Sequence, residues 1–338
     1  MFGSLTGSII PDRVAVMRRF TERIVVRTVS VAASLALVAA ALGGCSSASN
    51  APTSSVPSAS STSSTPAASS AASTSASTDT DSAAFAQIAA HYQAQLGVYA
   101  VDTGSGRTVG YQADQRFAFC STIKALAAAE LLHRDTDAQL AQTIHYSASD
   151  LVDYSPVTSQ HVNDGMTLTA VMTAAIEVSD NTALNLMLDR LGGPAGLQTA
   201  LRGMNDATTD ADRPEPAVNS AVPGDVRDTS TPRAMAEDLR AYVLGNALSP
   251  QRRALLTSWL TANTTGGPYI RAAVPAGWTV GDKTGNGDYG TRNDIAVLWP
   301  PHRAPIVIAV LSHRDGKDAT SADALIADAT KVALQQLG

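Results

Sequence analysis

The sequence predicts a mixed α/β (α+β) fold of two lobes with a cleft between them. Three observations lead there. Strand-like apolar runs occur near both ends of the folded part, and the stretch between them is dominated by helical patterns. Strand pieces from opposite ends must meet in one sheet to pair their backbone groups, so the helical block becomes an insertion with its own packing. The chain is also long and apolar enough, at 338 residues and 44 % hydrophobic, to bury a core of that size.

The first residues are read as export machinery. Arg13, Arg18, Arg19, Arg23 and Arg27 form a positive region, and Val29 to Leu42 is an apolar run broken only by small residues. That run is a signal peptide over residues 1–44, too short for a firm membrane span. Met17 opens a complete n-region, "MRRFTERIVV", and is the expected start; the Arg18-Arg19 pair lacks the rest of a twin-arginine motif. Leu42-Gly43-Gly44-Cys45 resembles a bacterial lipobox, which implies cleavage before Cys45 and lipidation of that residue; the other reading is an ordinary signal-peptidase site nearby. Several acyl chains anchor firmly where one would not. Residues 45–82, rich in Ser, Thr, Ala and Pro, cannot bury enough apolar surface to offset their ordering entropy and read as a tether.

The folded domain is expected over 83–338. In "AFAQIAAHYQAQ", Phe85, Ile88, Ala89 and Tyr92 share one helical face. "LGVYAVD" and "RTVGYQ" flank a Gly-rich turn as a hairpin. Helical patterns follow in "STIKALAAAELL", "TLTAVMTAAIEV", "NTALNLMLDRLGG", "TPRAMAEDLRAYVLG" and "SPQRRALLTSWLTA". Strands return in "WTVGDKTG", "NDIAVLWP" and "PIVIAVLS", and "SADALIADATKVALQQL" closes with a helix. This divides the domain into an α/β lobe (about 83–119 and 262–338) and an α lobe (about 120–261).

Several function classes are excluded. The net charge of −6 and the lack of a basic, aromatic-studded stripe argue against nucleic acid. No Cys-x-x-Cys, His-x-x-x-His or His-x-His-x-Asp spacing offers a metal site, and no cofactor motif stands out. Gly285, Gly287 and Gly290 spell G-x-G-x-x-G, but they fall between two strands with no helix to follow, so a dinucleotide turn is rejected. A Ser-His-Asp hydrolase lacks its G-x-S-x-G elbow, and none of the six histidines sits in a motif.

Three short motifs carry the chemistry. Ser121-Thr122-Ile123-Lys124, at a helix start, puts a hydroxyl and an amine one turn apart on the same face. Serine needs a base to become a nucleophile, and a lysine with a lowered pKa can supply one. Ser179-Asp180-Asn181 lies between two helical patterns and doubles as an N-cap. Lys283-Thr284-Gly285 lies on a strand, where a residue without a side chain lets ligand or backbone approach closely. Two of the chain's four lysines, Lys124 and Lys283, are used here.

In this order the motifs resemble class A serine β-lactamases and penicillin-binding proteins over the whole of 83–338. The resemblance implies an antiparallel five-stranded sheet flanked by helices, an inserted all-α lobe, and an active site in the cleft between. It implies hydrolysis of penicillin- and cephalosporin-type antibiotics through an acyl-serine, giving resistance, by a monomer lipid-anchored to the outer face of the cell membrane and in part released. Ser121 would attack the lactam carbonyl, with Lys124, or Glu215 through water, as acylation base. Ser179 would pass a proton to the leaving nitrogen. Backbone N–H groups of Ser121 and Asn286 would form the oxyanion hole. Lys283, Thr284 and Gly285 would receive the substrate carboxylate with help from Arg292, Asn181 would orient the substrate amide and Lys124, and Tyr154 would stand at the cleft mouth.

The segment Arg213-Pro214-Glu215-Pro216-Ala217-Val218-Asn219 resembles the family's Ω-loop. Glu215 and Asn219 would hold the deacylating water, Glu215–Pro216 would be cis, and Asp225 would pair with Arg213. A DD-peptidase or a β-lactam sensor would share the acyl-serine but would be expected to lack this pair. Cys120 is expected to be a buried free thiol, since the position to which it is bridged in one carbapenem-hydrolysing group is Gly287 here. Asn286 stands where the family more often has a small residue or a hydroxyl, with its effect on cephalosporins open.

Overall fold

A computed structural model of the chain describes residues 79–338. The expected signal peptide, Cys45 and most of the expected tether lie outside the described residues. Helix α1 (Asp79–Tyr92) begins inside the last residues assigned to the tether, because the Ala-rich helical pattern extends further towards the N-terminus than its apolar face does. It leads into the hairpin of β1 (Gln95–Asp102) and β2 (Thr108–Tyr111), and the two-residue strand β3 (Phe117–Ala118) then enters the helical region. There follow α2 (Ile123–Arg134) and α3 (Asp137–Leu140), then the short strands β4 (Thr143–Ile144) and β5 (Met166–Thr167), which pair with each other. Next come α4 (Leu168–Glu177), α5 (Asn181–Leu191) and α6 (Pro194–Gly203). Strand β6 (Thr229–Ser230) pairs with β3 and precedes α7 (Pro232–Val243), α8 (Pro250–Ala262) and α9 (Ile270–Ala273). Strands β7 (Thr279–Asn286), β8 (Arg292–Trp299) and β9 (Ile306–His313) and helix α10 (Asp323–Leu337) complete the chain.

The two ends of the domain meet in one antiparallel sheet of order β2-β1-β9-β8-β7. Both faces are buried, so the strands read as continuous apolar runs. Leu96, Val98, Ala100, Ala296, Leu298, Ile306, Ile308 and Val310 pack on one side with Phe85 of α1 and with Leu325, Ile326 and Ala329 of α10. Tyr99, Val101, Ile295, Val297, Val307, Ala309 and Leu311 join a larger cluster on the other side, led by Leu126, Leu131, Met172, Ile176, Leu184, Met187 and Tyr242 of the helical block. Each fully buried leucine or isoleucine contributes about 1.5–3 kcal/mol, so these clusters fix the sheet and the block against each other.

Strand β7 is the free edge of the sheet and the rail on which half the site is mounted. By the two-residue alternation of a strand, Lys283 and Gly285 face the helical block, while Asp282, Thr284 and Asn286 face α9 and α10. No helix follows the glycines of the rejected dinucleotide pattern: Gly285 ends in β7, and Gly287 and Gly290 form the turn to β8.

Candidate active site

Ser121 sits in a 3-10 turn (Cys120–Thr122) that runs directly into α2, so its hydroxyl lies at the positive end of a twelve-residue helix. Cys120 before it has φ +49°, a left-handed conformation that costs energy for a residue with a Cβ. The surroundings enforce it: Asn293 on β8 donates through Nδ2 to the carbonyls of Ala118 (2.7 Å) and Phe119 (3.2 Å). Phe119 N also donates to Asp228 O. Strand β7 lies close against this turn because Gly285 has no side chain; a Cβ there would stand 2.7 Å from Phe119 O. Gly287 meets the same limit, with Cys120 Sγ 2.7 Å and Asn219 O 2.6 Å from where its Cβ would be. Cys120 is buried and free, and burial pushes its thiol well above the usual cysteine range, so it is an inert packing group.

Lys124, one turn further along α2, is wholly buried. Its Nζ donates to Ser121 Oγ (2.8 Å), Ser179 O (2.9 Å) and Asn181 Oδ1 (2.7 Å), and lies 3.0 Å from Glu215 Oε1. Burial lowers its pKa and the Glu215 charge opposes that shift. Ser121 Oγ in turn donates to Glu215 Oε1 at 3.4 Å. Hydroxyl, ammonium and carboxylate thus form a closed triangle from which water is largely excluded.

Ser179 also has positive φ, +60°. The strain is held by Asp180, a buried N-cap of α5 whose carboxylate accepts from the backbone of Ala183 (2.9 Å), Val157 (3.0 Å) and Thr158 (2.9 Å). Ser179 Oγ is consequently placed between two amines, 3.0 Å from Lys283 Nζ and 3.4 Å from Lys124 Nζ. Lys283, fully buried, is pushed down to about 7 by burial and then by the Lys124 charge. Asn181 Nδ2 donates to Asp153 O (2.9 Å), and its own N–H to Tyr154 O (3.0 Å). That fixes Tyr154, which is 61 % exposed at the rim with φ +62°.

The segment carrying Glu215 has the cis Glu215–Pro216 bond that the resemblance implies. Glu215 Oε2 accepts from Asn219 Nδ2. Asn185 anchors the Glu215 backbone twice, accepting from its N–H (2.8 Å) and donating to its carbonyl (3.1 Å). The loop base differs from expectation. Arg213 Nε pairs with Asp228, whose Oδ1 also accepts the N–H groups of Asp212 and Arg213 (2.9 Å each). The expected Arg213–Asp225 pair is present only as a long contact of 3.9 Å, and the main partner of Asp225 is Arg227 (2.7 Å). Asp228 wins because it alone can take two backbone donors as well as the guanidinium.

On the other side of β7, Thr284 Oγ1 lies 2.6 Å from Thr265 Oγ1. The Thr265 loop is held by buried Asp282, which accepts from Asn263 Nδ2 (2.7 Å) and Arg271 Nε (2.6 Å). Tyr269 Oη donates to Asn286 Oδ1 (3.3 Å). Arg292, beside them, is paired with Asp323 (3.0 Å), so its guanidinium is tethered to α10. Ser121, Lys124, Ser179, Asn181, Glu215, Asn219 and Lys283 are therefore linked in one bonded cluster, while Thr284, Asn286 and Arg292 line the adjoining face of β7. Sequence reasoning missed Asn185, Thr265 and Asn293. Of these only Asn185 left a usable sign, falling one helical turn after Asn181 on the same face.

The chain matches the model of the Beta-lactamase enzyme family over residues 82–337. It is 60 % identical over 254 residues to a β-lactamase of Amycolatopsis lactamdurans, covering 75 % of this chain and 84 % of that protein. It is 48 % identical over 264 residues to the carbapenem-hydrolyzing β-lactamase KPC of Klebsiella oxytoca, covering 77 % of this chain and 90 % of that one. Among solved structures, the class A β-lactamase from Clostridium kluyveri DSM 555 superposes with a TM-score of 0.75 at 46 % identity, over 76 % of this chain and 98 % of its own.

Proposed function

The chain belongs to the β-lactamase enzyme family as a class A serine enzyme that hydrolyses β-lactams and so confers resistance to them, and we propose that Ser121 is its nucleophile and Glu215 its deacylating base. The observation that carries this reading is the triangle of Ser121 Oγ, Lys124 Nζ and Glu215 Oε1, with sides of 2.8, 3.0 and 3.4 Å. Lys124 donates to Ser121 Oγ, which turns the serine proton towards Glu215. Glu215 takes that proton as Oγ bonds to the lactam carbonyl carbon, and N–H groups of Ser121 and Asn286 receive the developing oxyanion. The C–N bond then breaks. The nitrogen takes the Ser179 proton, Ser179 is reprotonated from Lys124 (3.4 Å), and Lys124 recovers a proton from Glu215 (3.0 Å), which restores the carboxylate; Lys283, 3.0 Å from Ser179 Oγ, holds that hydroxyl in place. Glu215, held by Asn219, then deprotonates the water that attacks the acyl-serine. Asn181 and Tyr154 orient the substrate amide side. Lys283, Thr284, Gly285, Asn286 and Arg292 form the wall that takes its carboxylate, and Asp323 sets the Arg292 position.

The Glu215–Asn219 pair favours a hydrolase over a DD-peptidase or a stalled sensor. Nitrocefin should be turned over many times per enzyme, with a D-Ala-D-Ala peptide cleaved negligibly; the reverse would overturn the reading. The same assay across pH tests Lys283. Its ammonium attracts the substrate carboxylate when protonated and is neutral above about 7, so KM for an anionic β-lactam should rise on the alkaline side of neutrality. A bound carboxylate favours the ammonium, so kcat should hold to higher pH. A KM unchanged to pH 9 would remove Lys283 from the carboxylate site.

Export and lipid anchoring through Cys45 belong to the same proposal. Leu42-Gly43-Gly44-Cys45 supports it, and no described helix is long and apolar enough to cross a membrane. Cys45→Ala should move the protein from the membrane fraction to the medium; an unchanged distribution would refute lipidation.

A further inference from the structure

Behind the site, the neck of the Glu215 segment meets α7 through two carboxyl groups, Asp206 and Asp238. Each is 6 % exposed, and neither is in an ion pair among the described residues. Asp206 Oδ1 accepts the N–H groups of Thr208 (2.7 Å) and Thr209 (3.0 Å). Asp206 Oδ2 and Asp238 Oδ2 are buried and receive no N–H or hydroxyl donor. The two side chains are within hydrogen-bonding reach of each other and line one cavity.

Other charges around the pair do not neutralise it. On its inner side Glu130 of α2 accepts from Tyr242 Oη of α7. At the cavity mouth Glu237 accepts from Tyr99 Oη (3.0 Å), and Arg233 is engaged by Asp114 (2.7 Å). Arg202 of α6 and Arg116 are engaged by Asp210 (2.9 and 3.0 Å). Two bare carboxylate oxygens cannot share a buried site, whereas one proton between them turns repulsion into a charge-assisted O–H···O⁻ bond. Asp206, with two backbone donors, is the better anion, which leaves the proton on Asp238.

We propose that Asp238 is a carboxylic acid at neutral pH that donates to Asp206, a latch fastening the neck of the Glu215 segment to α7, and so a positioning residue for hydrolysis. The neck carries the constraint forward. Thr209 Oγ1 meets Ser230 Oγ at 2.7 Å, Asp210 N–H donates to Thr229 O at 2.9 Å, and Asp228 accepts the N–H groups of Asp212 and of Arg213, which is two residues before Glu215. Burial, then Asp206, Glu130 and Glu237, push the Asp238 carboxyl up to about 9. An unfolded aspartate titrates near ~3.9, so folding takes up a proton between these values and stability falls as pH rises through the window. Above about 9 the folded pair ionises and the latch opens.

The test compares the full chain with Asp238→Asn, whose amide can donate without titrating, and Asp238→Ala, which has no donor. The unfolding equilibrium constant of the wild type, divided by that of D238N, should climb with pH between about 5 and 9 by up to roughly tenfold per unit. A flat ratio overturns the shared proton. The positioning role, which rests on Glu215 as deacylating base, is read separately. D238A should accumulate acyl-enzyme at pH 7 while D238N turns over like the wild type, and wild-type kcat should drop several-fold relative to D238N above about pH 9. Wild-type deacylation in D238A overturns that role; if D238A does not fold, a wild-type to D238N kcat ratio that ignores pH does so. Failure of Glu215 itself would leave the stability ratio unaffected.

Discussion

Replacing Ser121 with alanine is expected to lower nitrocefin turnover by roughly 10⁴- to 10⁶-fold while leaving fold and substrate capture in place. The loss is large because nothing nearby can replace the hydroxyl. Cys120 is the adjacent nucleophilic type, but it is buried, has a thiol held protonated by burial, and packs against the Gly287 turn. Ser179 Oγ lies between two amines, where the proposed mechanism uses it to protonate the leaving nitrogen. Structure should survive because Lys124 keeps Ser179 O, Asn181 Oδ1 and Glu215 Oε1 when it loses Ser121 Oγ. The deletion removes one oxygen at the cleft floor and leaves no buried charge unpaired. Steady-state nitrocefin kinetics and a substrate-binding titration check it together. Turnover within tenfold of the wild type would assign the nucleophile elsewhere, and loss of binding in a folded variant would mean that Ser121 holds substrate as well as attacking it.

The parts of this site that could be read from the sequence are those whose roles are local. Ser121 and Lys124 lie one helical turn apart, and Lys283-Thr284-Gly285 sits on a strand of eight residues; both facts follow from periodicity. Asn185, Thr265 and Asn293 could not be read, because each acts by bonding distant backbone or a distant hydroxyl, and an asparagine or threonine suited to that task looks like any other. The Arg213 partner shows the same limit. Asp225 and Asp228 are both close in sequence, and only the three-dimensional placement of the Asp212 and Arg213 N–H groups selects Asp228. Helix α6 was missed for a different reason. Its Pro194-Ala-Gly196 start is a poor helix former, yet Gly192 at φ +93° ends α5 and Pro194 opens the next helix, a stop-and-start pattern that was there to be used.

Replacing Glu215 with alanine is expected to separate the two halves of the reaction. In the intact site the Glu215 charge favours the Lys124 ammonium, against the burial that lowers its pKa. Removing the carboxylate leaves that ammonium uncompensated in a dry environment, a cost of about 3–5 kcal/mol that the lysine avoids by giving up its proton. A neutral Lys124, 2.8 Å from Ser121 Oγ, is then a competent base for acylation. Deacylation has no such substitute. Lys124 is held by Ser179 O and Asn181 Oδ1 on the Ser179 side of the serine, whereas Glu215 and Asn219 approach from the loop side. Loss of a general base there should slow release by at least 10²- to 10⁴-fold. Acyl-enzyme should therefore build up, and intact-mass measurement after mixing with a penicillin should show one added substrate mass persisting for minutes or longer. Release at the wild-type rate would place the deacylating base elsewhere. A variant that neither turns over nor acylates would show that Glu215 is indispensable from the first step and that Lys124 cannot act without it.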